Sequence, residues 1–212
     1  MSKSYGQYCG LARALEIVGD RWNLLIVREL LMGPARYREL RDGLPGVATN
    51  LLAGRLRDLE AAGVVERRPA LDGNAIAYAL TAWGAELKDP IESLVRWSTP
   101  LMVPGPGGDV FRPEWLGVAL PALLSGRAPG DTSTTVGVTV DGRTMQLRAT
   151  PDGVEVLPHD GGELDGTIGA EAMVLFGLAA GMLDLDDVRS AIELDGDEEA
   201  VRAAFRLPAR PQ

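Results

Sequence analysis

The chain has 212 residues, 46% hydrophobic and 24% charged, proportions of a packed globular protein that exclude disorder and fibrous repeats, and no apolar run approaches the roughly 18 residues of a membrane span. The net charge of −9 argues against a nucleic-acid partner for the chain as a whole. However, residues 1–99 hold 13 Lys and Arg against 12 Asp and Glu, net +1, whereas residues 100–212 hold 8 against 18, net −10. That asymmetry predicts two domains with different partners. The single cysteine, Cys9, can close no intrachain disulfide, and the start MSKSYGQYCGLARALE lacks the basic-then-apolar pattern of a secretory signal, so a cytoplasmic location is expected.

Leu11, Ala14, Leu15 and Val18 follow helical spacing up to Gly19. A second helix carries Trp22, Leu25, Ile26, Glu29 and Leu30 and meets the Gly33-Pro34 breaker; a short third spans about Arg36 to Leu40. After Gly43-Leu44-Pro45-Gly46 the most regular helix runs from about Ala48 to Ala62, with Gly63 as its C′ residue. Val64 to Arg67 and Ala75 to Leu80 read as strands around the turn Asp72-Gly73-Asn74. A last helix from about Ala82 to Trp97 tolerates Pro90 only with a kink or a restart. Pro100, Pro104, Pro106 and Pro113, with Gly105, Gly107 and Gly108, sustain neither helix nor central strand, which predicts domains 1–99 and 113–212 joined by a linker, 100–112. Leu101, Met102 and Val103 interrupt that linker and are able to pack onto one domain.

A short helix, a tight turn, a second helix and a two-stranded wing is the order that places one helix in a DNA major groove. On the 48–62 helix, Leu52, Leu56 and Leu59 form one stripe, and at about 100° per residue Asn50, Ala53, Gly54 and Arg57 project away from it. Asn can bond adenine edges bidentately, Arg guanine edges, and small residues allow close approach. Arg55 lies at the stripe's edge, where a phosphate contact or an intramolecular ion pair fits better than base reading. Arg36, Arg38, Arg67 and Arg68 are candidate phosphate neutralisers. Asp58 and Glu60 on the same helix favour the opposing reading, an ordinary solvated face.

The stretch from YCGLARALEIVGDRW through LLIVRELLMGPARYRELRDGLPG and RLRDLEAAGVVER to YALTAWGAEL resembles the HxlR-type winged helix-turn-helix transcription regulators over about 90 residues. The resemblance implies a homodimer, with the N-terminal helix and the 82–97 helix forming most of the interface. Each recognition helix would then enter a major groove at one half-site of a near-palindromic double-stranded DNA operator. The family usually has a small hydroxyl residue where Ala48 stands, so Thr49 is expected to cap the helix. Cys9 stands where many members carry a cysteine, some of them redox sensors; with Arg13 one turn away as the nearest cation, a small buried packing residue is the favoured role and redox sensing the alternative.

In the acidic half, residues 113–124 suggest an apolar helix disturbed by Pro121. Thr134 to Val140 and Arg143 to Ala149 alternate as strands across Asp141-Gly142, and a further strand passes through Val154 and Val156. The segment from 165 onward reads as strand, apolar helix, short capped helix, strand and final helix, with Asp184, Asp187 and Asp197 at helix starts and no metal-binding spacing. The strand pair around DG, the segment DGTIGAEAMVLFGLAAG and the ending IELDGDEEAVRAAFRL resemble the sterol-carrier-protein-like α+β domains, in which a sheet covered by helices encloses an apolar lipid tunnel. The helix from Ala170 to Ala180 is apolar nearly all round, as a helix between sheet and cavity would be, so Met173, Phe176, Leu178 and Met182 are candidate lining residues with Trp115, Leu116 and Leu120 opposite; an ordinary filled core is the bland alternative.

His159 is the only histidine, no GxSxG elbow or phosphate-cradling glycine loop is present, and Cys9 lies in the other predicted domain, so neither an enzyme, a cofactor nor a metal site is expected. The sequence therefore reads as a two-domain protein, an N-terminal mainly α winged helix-turn-helix and a C-terminal α+β domain. The expected function is that of a homodimeric DNA-binding regulator controlled by an apolar small molecule or lipid. The alternative is a hydrophobic-ligand carrier in which the winged helix serves mainly dimerisation.

Overall fold

The computed structural model describes residues 4–70, 73, 75–127 and 133–208. Its contacts divide the chain into two compact units, Met1–Ile91 and Glu92–Gln212. In the first unit the order is α1 (Gly10–Val18), α2 (Asn23–Leu31), β1 (Ala35–Arg36), α3 (Tyr37–Gly43), α4 (Thr49–Ala61), β2 (Val65–Pro69), β3 (Ile76–Leu80) and α5 (Ala82–Ala85). Ile26, Val27 and Leu30 of α2, Leu40 of α3 and Leu52, Leu56 and Leu59 of α4 are all buried, with Leu44, Val64, Ala77 and Ala79 beside them. The wing is a three-stranded antiparallel sheet of order β1-β3-β2. Its first strand, two residues long, escaped the sequence reading because so short a segment shows no alternation. The Asp72-Gly73-Asn74 turn lies largely outside the described residues.

The expected helix over 82–97 is two helices, α5 and α6 (Lys88–Ser98), restarting before Pro90, which sits in the first turn of α6 where its missing N–H costs nothing. Thr81 and Gly84 explain why α5 begins where it does. The Thr81 hydroxyl accepts from Gly84 N at 3.0 Å and donates to Gly63 O at 2.7 Å, while a Cβ on Gly84 would lie 2.0 Å from Val64 O. The LTxxG pattern is thus a cap followed by a forced close approach of helix and strand.

Within the second unit, Arg96 of α6 donates to Ala122 O at 3.1 Å. A 3-10 turn, Thr99–Met102, follows α6, and Leu101, Met102 and Val103 remain exposed. The elements then run α7 (Leu116–Ser125), β4 (Thr134–Val140), β5 (Arg143–Thr150), β6 (Gly153–Pro158), β7 (Gly166–Ala170), α8 (Ala172–Ala180), β8 (Ile192–Gly196) and α9 (Glu198–Ala204). This is a sheet-rich α+β unit with strand order β6-β5-β4-β7-β8, antiparallel except for the parallel pair β4 and β7. Val136, Val138 and Val140 alternate inward on β4, as do Met145, Leu147 and Ala149 on β5; the register sets Val136 against Leu147 and Leu147 against Val156, and α7, α8 and α9 complete the cluster.

The short helix expected at Asp184 and Asp187 is instead a turn. The Asp184 carboxylate accepts from Asp186 N at 3.0 Å, and a 3-10 segment, Arg189–Ala191, follows. An Asp that bonds two residues ahead stabilises a turn as readily as a helix start, which is why the sequence alone did not separate them. Asp197 does cap α9, accepting from Glu199 N at 2.8 Å. Arg202 of α9, 2% exposed, is satisfied by Glu198 at 3.0 Å and Asp186 at 2.5 Å. Burial raises the Glu198 carboxyl, but hydrogen bonds and charge from Arg202 and Arg189 outweigh it and hold the group below its ordinary range.

Two outcomes are expected in urea unfolding. Gly84→Ala lowers stability by about 1–3 kcal/mol, the usual cost of forcing extra volume into a packed site. Because folded Glu198 titrates below its unfolded value, its stabilisation is complete at neutral pH and is lost as pH falls through and below the ordinary carboxylate range, so Glu198→Gln flattens that part of the stability profile.

Candidate nucleic-acid interface

Helix α4 is amphipathic in the sense a groove-reading helix requires. Leu52, Leu56 and Leu59 are at most 1% exposed, while Thr49, Asn50 and Arg57 are exposed and Ala53 and Gly54 half-buried. Its C-terminus is closed by Gly63, at φ +76°, with Val64 N donating to Leu59 O at 2.9 Å and Gly63 N to Glu60 O at 3.0 Å, the paired bonds of a Schellman motif. Its N-terminus corrects one expectation. Ala48 is the N-cap and offers no side-chain acceptor, and Thr49 is already inside the helix, so Thr49 does not cap. The helix start is held from α3 instead, by the Tyr37 hydroxyl donating to Thr49 O at 2.6 Å. The Asn50 side-chain oxygen accepts from Leu51 N at 3.0 Å, which leaves its NH2 group to donate outward.

The arginines divide into two sets. Arg38 on α3 and Arg57 on α4 are exposed and form no ion pair among the described residues. Arg55 is held by Asp20 at 2.5 Å and Asp58 at 3.4 Å. Arg67 pairs with Glu60 at 3.0 Å, which ties wing to helix, and lies 5.8 Å over the Tyr78 ring. Arg68 bonds Glu66 through Nε at 2.6 Å. Arg36 is half-buried at the N-cap of α3, its backbone N–H donating to Glu39 at 2.6 Å. The strand register sets Arg36 and Arg68 on either side of Ala77. Arg67, Arg68, Pro69, Gly73, Ala75 and Ile76 line a shallow groove of about 470 Å³ on the wing. Neither that groove nor the Tyr37 anchor is legible in the sequence, because both arise from pairing across a fold.

Cys9 is exposed at the N-cap of α1, so the expected buried packing role is corrected; Arg13 is engaged with Glu16 at 2.9 Å. The N–H of Tyr5, Arg13 and the Ser4 hydroxyl hold the Glu16 carboxyl below its ordinary range. In the second unit Leu116, Leu120, Phe176 and Leu178 join one buried cluster, while Trp115 and Met173 are half-buried. Met182 is 45% exposed, because Gly181 at φ +71° ends α8 and turns the chain out of the helical stripe. His159 follows β6, half-buried.

A helical core, an exposed reading helix and a β-wing define a winged helix-turn-helix unit, the architecture of DNA-binding transcription regulators. Residues 17–104 match the family model described as HxlR-like helix-turn-helix. The HTH-type transcriptional regulator YodB of Bacillus subtilis is 32% identical over 93 residues, covering 43% of this chain and 83% of that protein. An HTH-type transcriptional regulator of Mycobacterium bovis is 38% identical over 99 residues, 46% of this chain and 61% of that one. Among solved structures, the reduced form of YodB is 31% identical, covering 47% of this chain and 99% of its own, with a TM-score of 0.40; the quinone-bound YodB is 32% identical over 42% of this chain and 96% of its own, with a TM-score of 0.38. The chain belongs to the HxlR-like helix-turn-helix family. Its relatives are named as HTH-type transcriptional regulators, and the matches lie in the N-terminal half of the chain. Among the described residues no helix is long and apolar enough to cross a membrane.

A Cβ on Gly54 would meet nothing within 4 Å. Gly54→Ala is therefore expected to stabilise the protein by up to about 1 kcal/mol, the helix-interior difference between the two residues, as a higher urea midpoint at unchanged slope.

Proposed function

We propose that the protein acts in the cytoplasm as a homodimeric transcription regulator that reads a near-palindromic operator through α4 and responds to an apolar small molecule or lipid on its C-terminal domain. The observation that carries the DNA reading is the outward face of α4, where Asn50 and Arg57 stand free of charge partners among the described residues above a fully buried leucine stripe. Asn50 and Arg57 contact base edges, Ala53 and Gly54 let the helix approach, and Thr49 lies at the helix entrance. Arg38, with Arg36 and the wing residues Arg67 and Arg68, neutralises phosphates. The last two must exchange Glu60 and Glu66 for phosphate, an exchange between exposed partners that costs little.

A second copy is the partner we assign to the apolar residues left exposed on α1 and α6, Leu11 and Leu15 on the first and Leu94 and Trp97 on the second. We assign DNA binding and dimerisation to residues 1–99, the connection to 100–112 and ligand sensing to 113–212. The sensing role is supported by α8, apolar on every side, and by the sterol-carrier-protein-like pattern of the sequence. Cys9 is the residue we assign to any redox response, on the strength of its exposure.

A mobility-shift assay on DNA upstream of the protein's own gene is expected to show a specific complex at about 100 mM salt, where non-specific contacts weaken; only salt-labile, sequence-indifferent binding would refute the reading. Asn50→Ala is expected to reduce discrimination at one base pair per half-site by about 1–3 kcal/mol. The native protein should react with one equivalent of a thiol reagent per chain, and Cys9→Ser should abolish that reaction. Native mass spectrometry should show an apolar molecule released from residues 113–212.

A further inference from the structure

Arg55 differs from Arg57, the other arginine of α4, in its surroundings. Its guanidinium turns back to the corner between α1 and α2, where Nη1 lies 2.5 Å from Asp20, 35 residues away in sequence, and 3.4 Å from Asp58. Its Nε is buried and has no partner among the described residues, so the two carboxylates are what hold the group. The corner itself is strained. Trp22, a bulky residue, sits at φ +86° in the left-handed region, and Asn23, 1% exposed, donates from Nδ2 to Ile17 O at 2.7 Å while its Oδ1 lacks a partner among the described residues. Such a conformation persists only where neighbouring contacts over-determine it. The Asp20–Arg55 pair is one such contact, a charge pair that fastens the corner to α4.

We propose that Asp20 is a positioning residue for DNA reading: through Arg55 it fixes α4 against the α1–α2 corner and withholds that arginine from DNA phosphate. The inference rests on α4 being the reading helix. Its physical content is a competition. The same guanidinium fork fits a carboxylate or a phosphate, and at 2.5 Å from Asp20 it is committed to the first. Arg55 therefore adds no counterion release on DNA in the wild-type protein, and the helix keeps its pitch. Without Asp20, Arg55 turns to phosphate, and sequence-indifferent attraction rises relative to base reading.

The experiment measures affinity of the full chain for a 30-base-pair duplex of random sequence by fluorescence anisotropy across a salt series. Arg38→Gln, at an arginine assigned to phosphate, serves as the reference and is expected to reduce the slope of log K against log salt by about 0.9 per protomer. Arg55→Gln is expected to leave the slope unchanged, Asp20→Asn to steepen it by about 0.9 per protomer, Asp20→Glu to restore it, and Asp20→Asn with Arg55→Gln to abolish the steepening. An Arg55→Gln slope reduced like that of Arg38→Gln, or an Asp20→Asn slope equal to wild type, overturns the proposal. Urea unfolding of the wild type, Arg55→Gln, Asp20→Asn and the double variant tests the latch without DNA: the double variant should be no less stable than either single variant, and strict additivity overturns it. If the wild-type chain binds the duplex at no salt concentration, the DNA reading fails, and the unfolding cycle still decides whether the latch exists.

Discussion

The burial of Leu52, Leu56 and Leu59 is the constraint on which the proposed DNA-facing surface depends. Three leucines at spacings of four and three can be withdrawn from water together only if one side of α4 faces the core. Each withdrawal is worth about 1.5–3 kcal/mol, so rotating the helix to hide Asn50 and Arg57 instead would cost several kcal/mol. The reading face is thus what the hydrophobic effect leaves outside. Its direction is sharpened at both ends, by the Tyr37 hydroxyl on Thr49 O and by the Gly63 Schellman turn, which delivers the chain into β2.

The turn after α4 also organises the wing and α5. Val64 O accepts from Thr81 N, and Gly84 passes close against it, so the end of the reading helix, the base of the wing and the start of α5 share a few backbone atoms. Adding a side chain at this point disturbs three elements at once. Rigidity here would serve the proposed DNA reading: base discrimination needs donors held within fractions of an ångström, and a wing tied to α4 by Glu60 and Arg67 shares its frame.

The second unit solves a different problem. Its inward row, Val136 to Leu147 to Val156, depends on strand register, and slipping by one residue would turn every one of these side chains outward. The parallel β4–β7 pair needs a long connection, which the β5–β6 hairpin supplies. Arg202 is a buried ion, tolerable because Glu198 and Asp186 satisfy it, and it fastens α9 to the turn that replaced the expected helix.

The sequence by itself determined most of the order of elements, the leucine stripe and with it the outward position of Asn50 and Arg57, the C′ role of Gly63, a kink or restart near Pro90 and the alternation of β4 and β5. All of these follow from local periodicity and backbone preference. Only the tertiary structure decided that Tyr37 rather than Thr49 secures the reading helix, that a two-residue β1 closes the wing, that Cys9 is exposed, that Met182 leaves the α8 stripe, and which arginines are already paired. A charge written in the chain carries no record of its partner. Arg55 and Arg57 are two residues apart on one helix, and the turn of about 100° per residue sends one to Asp20 and leaves the other facing solvent.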